Sequence, residues 1–204
     1  LLLPVALLIA PTAAQPSCPG NLDNSIEIDS SATLYYAVVP SDPPEENNGL
    51  FCARLETTED FGWVGFGISE DAKMPDSNVI IGLPGDDTVL KYDTYQYGVN
   101  LMSGDKQTLM DTSLEQGDGK TVMKFTKYLS EEGEVDISES GVNYFLHARG
   151  PSDELGYHSA RMAFTKDFSE DVETTTEATT TAETTTTAAD DTVSNCTLCT
   201  SFSH

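Results

Sequence analysis

Residues 61–69 read Phe-Gly-Trp-Val-Gly-Phe-Gly-Ile-Ser, and residues 78–83, after a polar loop, read Asn-Val-Ile-Ile-Gly-Leu. Both runs are short, rich in aromatic and β-branched residues, and bounded by turn-forming residues. Such runs are typical of β-strands rather than helices. They therefore predict two strands that are separated by the loop containing Met74.

The same period-two pattern extends on both sides of this stretch, across residues 18–168. Side chains alternate over residues 51–56, and again over residues 123–126 after an Asp-Gly turn at 118–119. No convincing amphipathic helix lies between these runs. Further strand candidates are residues 33–39, 88–92, 94–99 and 142–148. About nine to eleven short strands at this spacing predict an all-β fold, a two-sheet antiparallel β-sandwich.

Length and charge limit the classes of partner. The chain has 204 residues, about one domain of typical size plus appendages. Its formal net charge is −24, with 10 Lys and Arg against 34 Asp and Glu. Phosphate backbones and anionic membrane surfaces would be repelled, so nucleic acid is not expected as a partner. The plain interpretation of this acidity is solubility in an extracellular medium.

Both ends of the chain differ from the middle. Residues 1–15 form an apolar run followed by small residues, which predicts a signal peptide that lacks its first residues and is too short to span a bilayer. Residues 171–192 contain mostly Thr, Ala, Glu and Asp and predict a disordered, O-glycosylated stalk. We expect a folded domain at 18–170 and a truncated tail at 193–204 with a glycosylation sequon at Asn195. The processed chain is then secreted or displayed outside the cell, and a missing C-terminal part could anchor it.

Export makes the cysteines candidates for disulfides. Neighbouring strand residues face opposite sides, so Cys52 should point away from the face that carries Phe51 and can reach an N-terminal segment. We therefore predict a disulfide between Cys18 and Cys52, with two unpaired thiols as the alternative. Cys196 and Cys199 could bridge locally or pair with sequence beyond the tail, and a single CxxC is weak support for a metal site.

An ordered set of landmarks resembles the DOMON domain family, including its haem-b cytochrome domains such as that of cellobiose dehydrogenase and the DOMON domains of dopamine beta-hydroxylase-like proteins. The first is the Trp-x-Gly-Phe-Gly strand at 63–67, which leads into a loop with Met74. The match runs from about residue 23 to residue 168. The other landmarks are residues 78–82, 93–98, 121–128, 144–150 and 157–161.

This resemblance implies a β-sandwich with a pocket at one sheet, used for haem b or for a sugar-like or other small ligand. Carried over by position, the axial ligands of the haem iron would be Met74 and His158, and Arg161 could pair with a haem propionate or a ligand carboxylate. A thioether and an imidazole together fill both axial positions. Such a site would suit electron transfer to or from a redox partner domain better than oxygen activation.

The residues themselves give partial support for this ligand set. Met74 lies in a polar loop where no apolar stripe needs it, although it could simply plug the end of the sandwich. If a strand begins at His158, that residue shares a face with Met162 and Phe164; the alternative is a hydrogen-bonded histidine near a strand end. His147 has the opposite parity to the apolar face of its strand and is the second choice as a ligand.

Aromatic residues and missing motifs complete the prediction. Trp63 is expected in the sandwich interior because of its bulk. Tyr92, Tyr95 and Tyr97 could line a pocket or stack on a sugar, but aromatic residues at strand spacing are more often packing. With three histidines, one of them the tail residue His204, the chain lacks a copper or zinc cluster, and it has no nucleophile elbow or phosphate loop. The sequence therefore favours an electron-transfer module, a haem-free recognition module, or a structural or adhesive domain, without catalytic activity of its own.

Overall fold

A computed structural model describes residues 16–41 and 49–172. The expected signal peptide, residues 173–192 of the expected stalk, and the tail lie outside the described residues. The same holds for Asn195, Cys196, Cys199 and His204.

The described residues form eleven β-strands, one short α-helix and two single-turn 3-10 helices, Pro84–Asp86 and Gly104–Lys106. The first five strands are β1 (Asn24–Asp29), β2 (Ala32–Val39), β3 (Leu50–Thr57), β4 (Trp63–Ser69) and β5 (Asn78–Leu83). The next elements are β6 (Thr88–Tyr95), β7 (Gly98–Leu101), β8 (Met110–Gly117), β9 (Lys120–Tyr128), β10 (Val142–Gly150), β11 (Ala160–Asp167) and the helix α1 (Ser169–Val172). In the described part of the chain, no helix has the length and apolar character needed to cross a bilayer.

The strands pair into two antiparallel sheets. One sheet has the order β1-β2-β3-β9-β8, and the other has the order β11-β10-β4-β5-β6-β7. Their facing sides enclose an aromatic core in which Phe66 lies 5.7 Å from Phe51 and 5.2 Å from Phe145, measured between ring centroids. The predicted all-β sandwich and the predicted number of strands are confirmed.

The strand assignments differ from the prediction at β1, at β8 and at the hairpin of β6 and β7. The candidates at 88–92 and 94–99 were divided at the wrong place. β6 runs without a break to Tyr95, and its hairpin partner β7 begins only at Gly98. β1 and β8 were not predicted, and both are edge strands whose outward residues are polar. The Asp118-Gly119 turn between β8 and β9 is confirmed, since both residues have the positive φ that a tight hairpin requires.

The N-terminal segment is bound to the outer side of the five-stranded sheet. Cys18 and Cys52 form a disulfide with a Cα–Cα distance of 5.8 Å, which confirms the predicted pair. Cys52 faces away from the core residue Phe51, as its position in β3 predicted. Cys18 Sγ also lies 3.0 Å from the hydroxyl of Thr126, on the neighbouring strand β9. The disulfide joins residues that are 34 positions apart in the chain, so it ties the N-terminal segment to β3.

Two lysines and two glutamates are buried between the sheets. Lys91 Nζ lies 3.1 Å from Glu131, and Lys127 Nζ lies 2.9 Å from Glu134. Cross contacts from Lys91 to Glu134 and from Lys127 to Glu131 close the set, so the four charges cancel. Removal of one member would leave an unpaired buried charge, which typically costs about 3–5 kcal/mol.

The described chain ends on contacts with the core. Phe168 is buried in the aromatic cluster, and its ring centroid lies 5.3 Å from that of Tyr36. The Tyr36 hydroxyl donates a 2.7 Å hydrogen bond to Asp171, and Lys166 forms a 2.9 Å ion pair with the same carboxylate. Asp171, at which the sequence predicts the stalk to begin, therefore still contacts the sandwich.

Candidate functional site

A cavity of about 510 Å³ lies on the outer face of the six-stranded sheet. Its volume falls within the usual range of roughly 300–1,000 Å³ for small-molecule sites. Two loops, strands β10 and β11, and the tip of the β6–β7 hairpin surround it. Residues that line it include Met74, Gln96, Leu146, Ala148, His158 and Arg161. The three residues that the sequence singled out for cofactor binding are thus brought to one cavity.

Strand pairing explains the apolar floor of this cavity. In the antiparallel ladder Leu146 lies opposite Ala163 and Ala148 lies opposite Arg161, so these side chains share one face of the sheet. Gly67 is the neighbour of Leu146 on β4 and has the same orientation. A Cβ atom at Gly67 would come within 3.0 Å of Leu146 Cβ, so a larger residue there would displace the floor. The parity of β10 could have identified Leu146 and Ala148 from the sequence.

Met74 reaches the cavity from the loop between β4 and β5. The loop contains two non-glycine residues with positive φ, Ala72 at 63° and Asp76 at 61°. Lys73, which also lines the cavity, forms a 2.5 Å ion pair with Asp71 on the exposed side of the loop. Hydrogen bonding to the Lys73 side chain is the main reason that the pKa of Asp71 is lowered.

His158 reaches the cavity from the loop between β10 and β11. The sequence considered a strand that begins at His158, but β11 begins at Ala160, because pairing with β10 starts only at Arg149. His158 therefore does not share a strand face with Phe164, whose ring packs in the sandwich interior against Phe145 at 5.6 Å. The exposed ring of Tyr157 lies 4.5 Å from the imidazole.

Arg161 differs from the other basic residues. Eight of the ten Lys and Arg side chains form ion pairs with carboxylates, and Lys106 bonds to the carbonyl of Glu132. Within residues 16–41 and 49–172, Arg161 pairs with no carboxylate, and it lines the cavity. In a chain of net charge −24, such a guanidinium is suited to bind an anionic group of a ligand.

His147 points to the other side of β10, as its parity predicted. Arg149 donates a 3.2 Å hydrogen bond to His147 Nε2, so Nδ1 carries the proton and donates to the Gly65 carbonyl at 3.0 Å. Arg149 in turn pairs with Asp29 at 2.8 Å. Burial lowers the pKa of His147 to about 4 and keeps the imidazole neutral. His147 is also among the residues that line the cavity, but both of its ring nitrogens already have hydrogen-bond partners, Gly65 and Arg149.

Trp63 was predicted to lie between the two sheets, and this is wrong. The residue is buried, but on the outer face of the six-stranded sheet. Odd-numbered residues of β4 face outward, and Trp63 packs with Ile81 and Tyr92 on the outer face. Gly150 makes room for the indole, since a Cβ at that position would lie 1.9 Å from Trp63 Nε1. Ala148 contacts this cluster and also lines the cavity, so the apolar floor is continuous with it.

Of the three tyrosines considered from the sequence, two are exposed beside the cavity and one is buried. Tyr92 is packing, as the sequence favoured, whereas Tyr95 and Tyr97 are exposed on either side of the cavity residue Gln96. Gln96 was not singled out as a site residue, because only the β6–β7 hairpin places it at the cavity. Over the part of the chain that the structure describes, no three His, Cys, Asp or Glu side chains converge in a way that could hold a metal ion.

A family model for the DOMON domain matches residues 46–150, which include Met74 but end before His158. Two solved structures have a similar fold. The cytochrome b domain of pyranose dehydrogenase from Coprinopsis cinerea has 15% sequence identity and a TM-score of 0.50 over 68% of this chain and 77% of that chain. The cytochrome domain of Myriococcum thermophilum cellobiose dehydrogenase has 17% identity and a TM-score of 0.49, with 70% and 79% covered. At these identities the likeness concerns the fold alone.

Proposed function

The chain belongs to the DOMON domain family, and from this we propose that it is an extracellular module that binds haem b and passes single electrons to or from a partner. One observation carries the proposal. Met74 and His158 come from two separate loops and line the same cavity above an apolar floor.

The donor atoms of this cavity fit haem. A Met thioether and a His imidazole are established axial ligands of haem iron, and Arg161 offers a planar fork of donors for a propionate. Leu146 and Ala148 provide an apolar surface against which a flat macrocycle could lie. Haem held by Met74 and His158 would supply a one-electron couple.

An extracellular location is supported by the disulfide. Cys18 and Cys52 form a disulfide. Disulfides persist in oxidising compartments and are rare in cytosolic proteins. The apolar run at residues 1–15, the Thr-rich stalk that begins near residue 171 and the sequon at Asn195 are consistent with export. We propose that the redox partner is a further domain or a separate protein reached from this stalk.

A second candidate function is recognition of a sugar or small ligand without haem. It is favoured by the two tyrosines beside the cavity: Tyr97, next to Gln96, and Tyr157, next to His158, are each 85% exposed. Exposed tyrosine rings present an apolar face and a polar hydroxyl, a combination suited to amphipathic ligands such as sugars.

An absorption spectrum of the full secreted chain, supplied with haem, tests the proposal. We expect a sharp Soret and α-band pair in the reduced protein, lost in Met74→Ala and in His158→Ala. Matched controls are Met110→Ala, which removes a thioether from the other sheet, and His147→Gln, which removes the interior imidazole. Both controls should keep the spectrum.

Two outcomes would contradict the haem proposal or its ligands. If the folded wild-type chain retains no haem, the electron-transfer function is wrong, and a glycan-binding assay then tests the second candidate. If His147→Gln abolishes the spectrum while His158→Ala does not, the imidazole ligand has been assigned to the wrong histidine.

A further inference from the structure

Thr94 on β6 contacts the loop that carries Met74. Its side chain is buried, and its hydroxyl accepts a 2.9 Å hydrogen bond from the Ser77 backbone N–H. The same hydroxyl is within donor distance of two backbone carbonyls, those of Met74 and Ser77. The Thr94 backbone makes two further hydrogen bonds. Its N–H donates to the Ser77 carbonyl at 3.0 Å, and its carbonyl accepts from the Asp76 N–H at 3.3 Å. One threonine therefore connects the second half of the loop to a neighbouring strand.

The first half of the loop is held by its own serine side chains. Ser69 Oγ donates to the Lys73 carbonyl at 2.9 Å and accepts from the Lys73 N–H at 3.2 Å. Ser77 Oγ donates to the same carbonyl at 2.7 Å. The backbone on both sides of Met74 is thus fixed, at Lys73 by two serines and at Met74 and Ser77 by Thr94.

The loop needs such support because part of its backbone is unfavourable. Ala72 adopts the left-handed conformation, in which its Cβ crowds the following carbonyl oxygen. A non-glycine residue keeps this conformation only where surrounding contacts over-determine it. The hydrogen bonds of Ser69, Ser77 and Thr94 are the contacts that do so here.

We propose that Thr94 is a positioning residue that holds the Met74 loop in its ligand-binding conformation before any ligand arrives. A thioether that is already at the cavity loses little conformational freedom when it binds a metal centre, so affinity and axial ligation depend on the hydroxyl of Thr94. The identity of the ligand rests on the haem function proposed above. The order of the loop does not.

The first measurement needs no haem. We expect amide hydrogen exchange over residues 70–77 of the haem-free full chain to be about tenfold faster in Thr94→Val, which keeps the shape but loses the hydroxyl. Thr94→Ser, which restores the hydroxyl, should exchange at the wild-type rate. The matched control is Thr57→Val, since Thr57 is also buried and its hydroxyl bonds to the Glu59 carbonyl in the loop between β3 and β4. It should leave residues 70–77 unchanged.

The second measurement uses the haem-loaded protein. We expect Thr94→Val to weaken haem retention about tenfold and to lower the midpoint potential as Met ligation is lost, with Thr94→Ser and Thr57→Val close to wild type. If wild type retains no haem but exchange responds as expected, the positioning role stands and the haem function falls. Unchanged exchange and potential in Thr94→Val would overturn the positioning role. So would failure of both Thr94→Val and Thr94→Ala to fold while Thr57→Val folds.

Discussion

His147 and His158 show how the position of one residue in a strand decides its chemistry. They are eleven positions apart in the chain, and each adjoins the same sheet. His147 belongs to the interior-facing set of β10 and exchanges hydrogen bonds with Gly65 and Arg149. His158 precedes β11 and lines the cavity from outside. His147 therefore has a structural role as a neutral imidazole, whereas His158 is placed where it can contact a ligand.

The neutral state of His147 makes stability depend on pH. Its pKa falls from 6.5 to about 4 on folding, mainly because burial disfavours the charged imidazole. Between these two values the unfolded chain binds a proton that the folded protein does not, so stability is lost as pH falls from 6.5 towards 4. The loss is up to about 1.4 kcal/mol per pH unit, or roughly 3 kcal/mol over the whole window.

We expect His147→Gln to remove this dependence. Urea unfolding at pH 7 should show the variant less stable than wild type, and the difference should narrow by roughly 3 kcal/mol by pH 4, because only wild type must then protonate an imidazole on unfolding. Carboxylates such as Asp29 and Glu131, whose pKa values are lowered, are common to both proteins and cancel in the comparison. A parallel pH profile for the two proteins would contradict the neutral, buried state of His147.

At the scale of single elements, β3 carries both the core residue Phe51 and the crosslink to the N-terminal segment. Cys18 is only half-buried, so Cys18→Ala removes the bridge without a large cavity. For a closed loop of 34 residues we expect the free energy of unfolding to fall by about 3–4 kcal/mol, because the unfolded chain regains its freedom.

The measurement is a urea titration of wild type and Cys18→Ala, with and without reductant. Reductant should destabilise wild type to the level of the variant and leave the variant unchanged. A non-reducing peptide map should show Cys18 and Cys52 linked. A variant as stable as oxidised wild type would mean that the bridge adds nothing to the fold.

Elements differ in how well the sequence predicts them, and the reason is the number of buried faces. β3 and β9 are central strands whose alternation was visible, and that alternation placed Cys52 correctly. β1 and β8 are edge strands with few apolar residues, so no pattern marked them. For Trp63 the residue type suggested the interior, but register decides the side, and register depends on pairing with β10 and β5.

At the scale of the whole molecule, the site was predictable only in part. Met74, His158 and Arg161 were named through a resemblance to a family, and the fold brings all three to one cavity. Gln96 and Thr94 were missed because the β6–β7 hairpin and the pairing of β6 with β5 place them there, and short-range spacing does not encode such contacts. The candidate ligands could therefore be named from the sequence, whereas the residues that surround and position them could be identified only from the strand pairing.

The last described residues close the aromatic core. A chain that stops after Asp167 lacks Phe168, which packs against Tyr36 and Phe145, and the carboxylate of Asp171. We expect it to lose about 3–5 kcal/mol of unfolding free energy, the typical cost of a deleted buried aromatic residue. A chain that stops after Val172 should match the full chain in a urea titration and in its protease-resistant fragment. If it is also destabilised, the segment after residue 172 is part of the fold rather than a stalk.

The aromatic core and the cavity lie on opposite faces of the six-stranded sheet. On β10, Phe145 belongs to the packed interior, whereas Leu146, the next residue, and Ala148 belong to the floor of the cavity. Folding free energy and ligand chemistry are thus assigned to alternate positions of the same sequence. Substitutions at the outward positions can therefore change the lining of the cavity without repacking the interior. Such a separation gives one scaffold the freedom to diversify its chemistry by substitution alone.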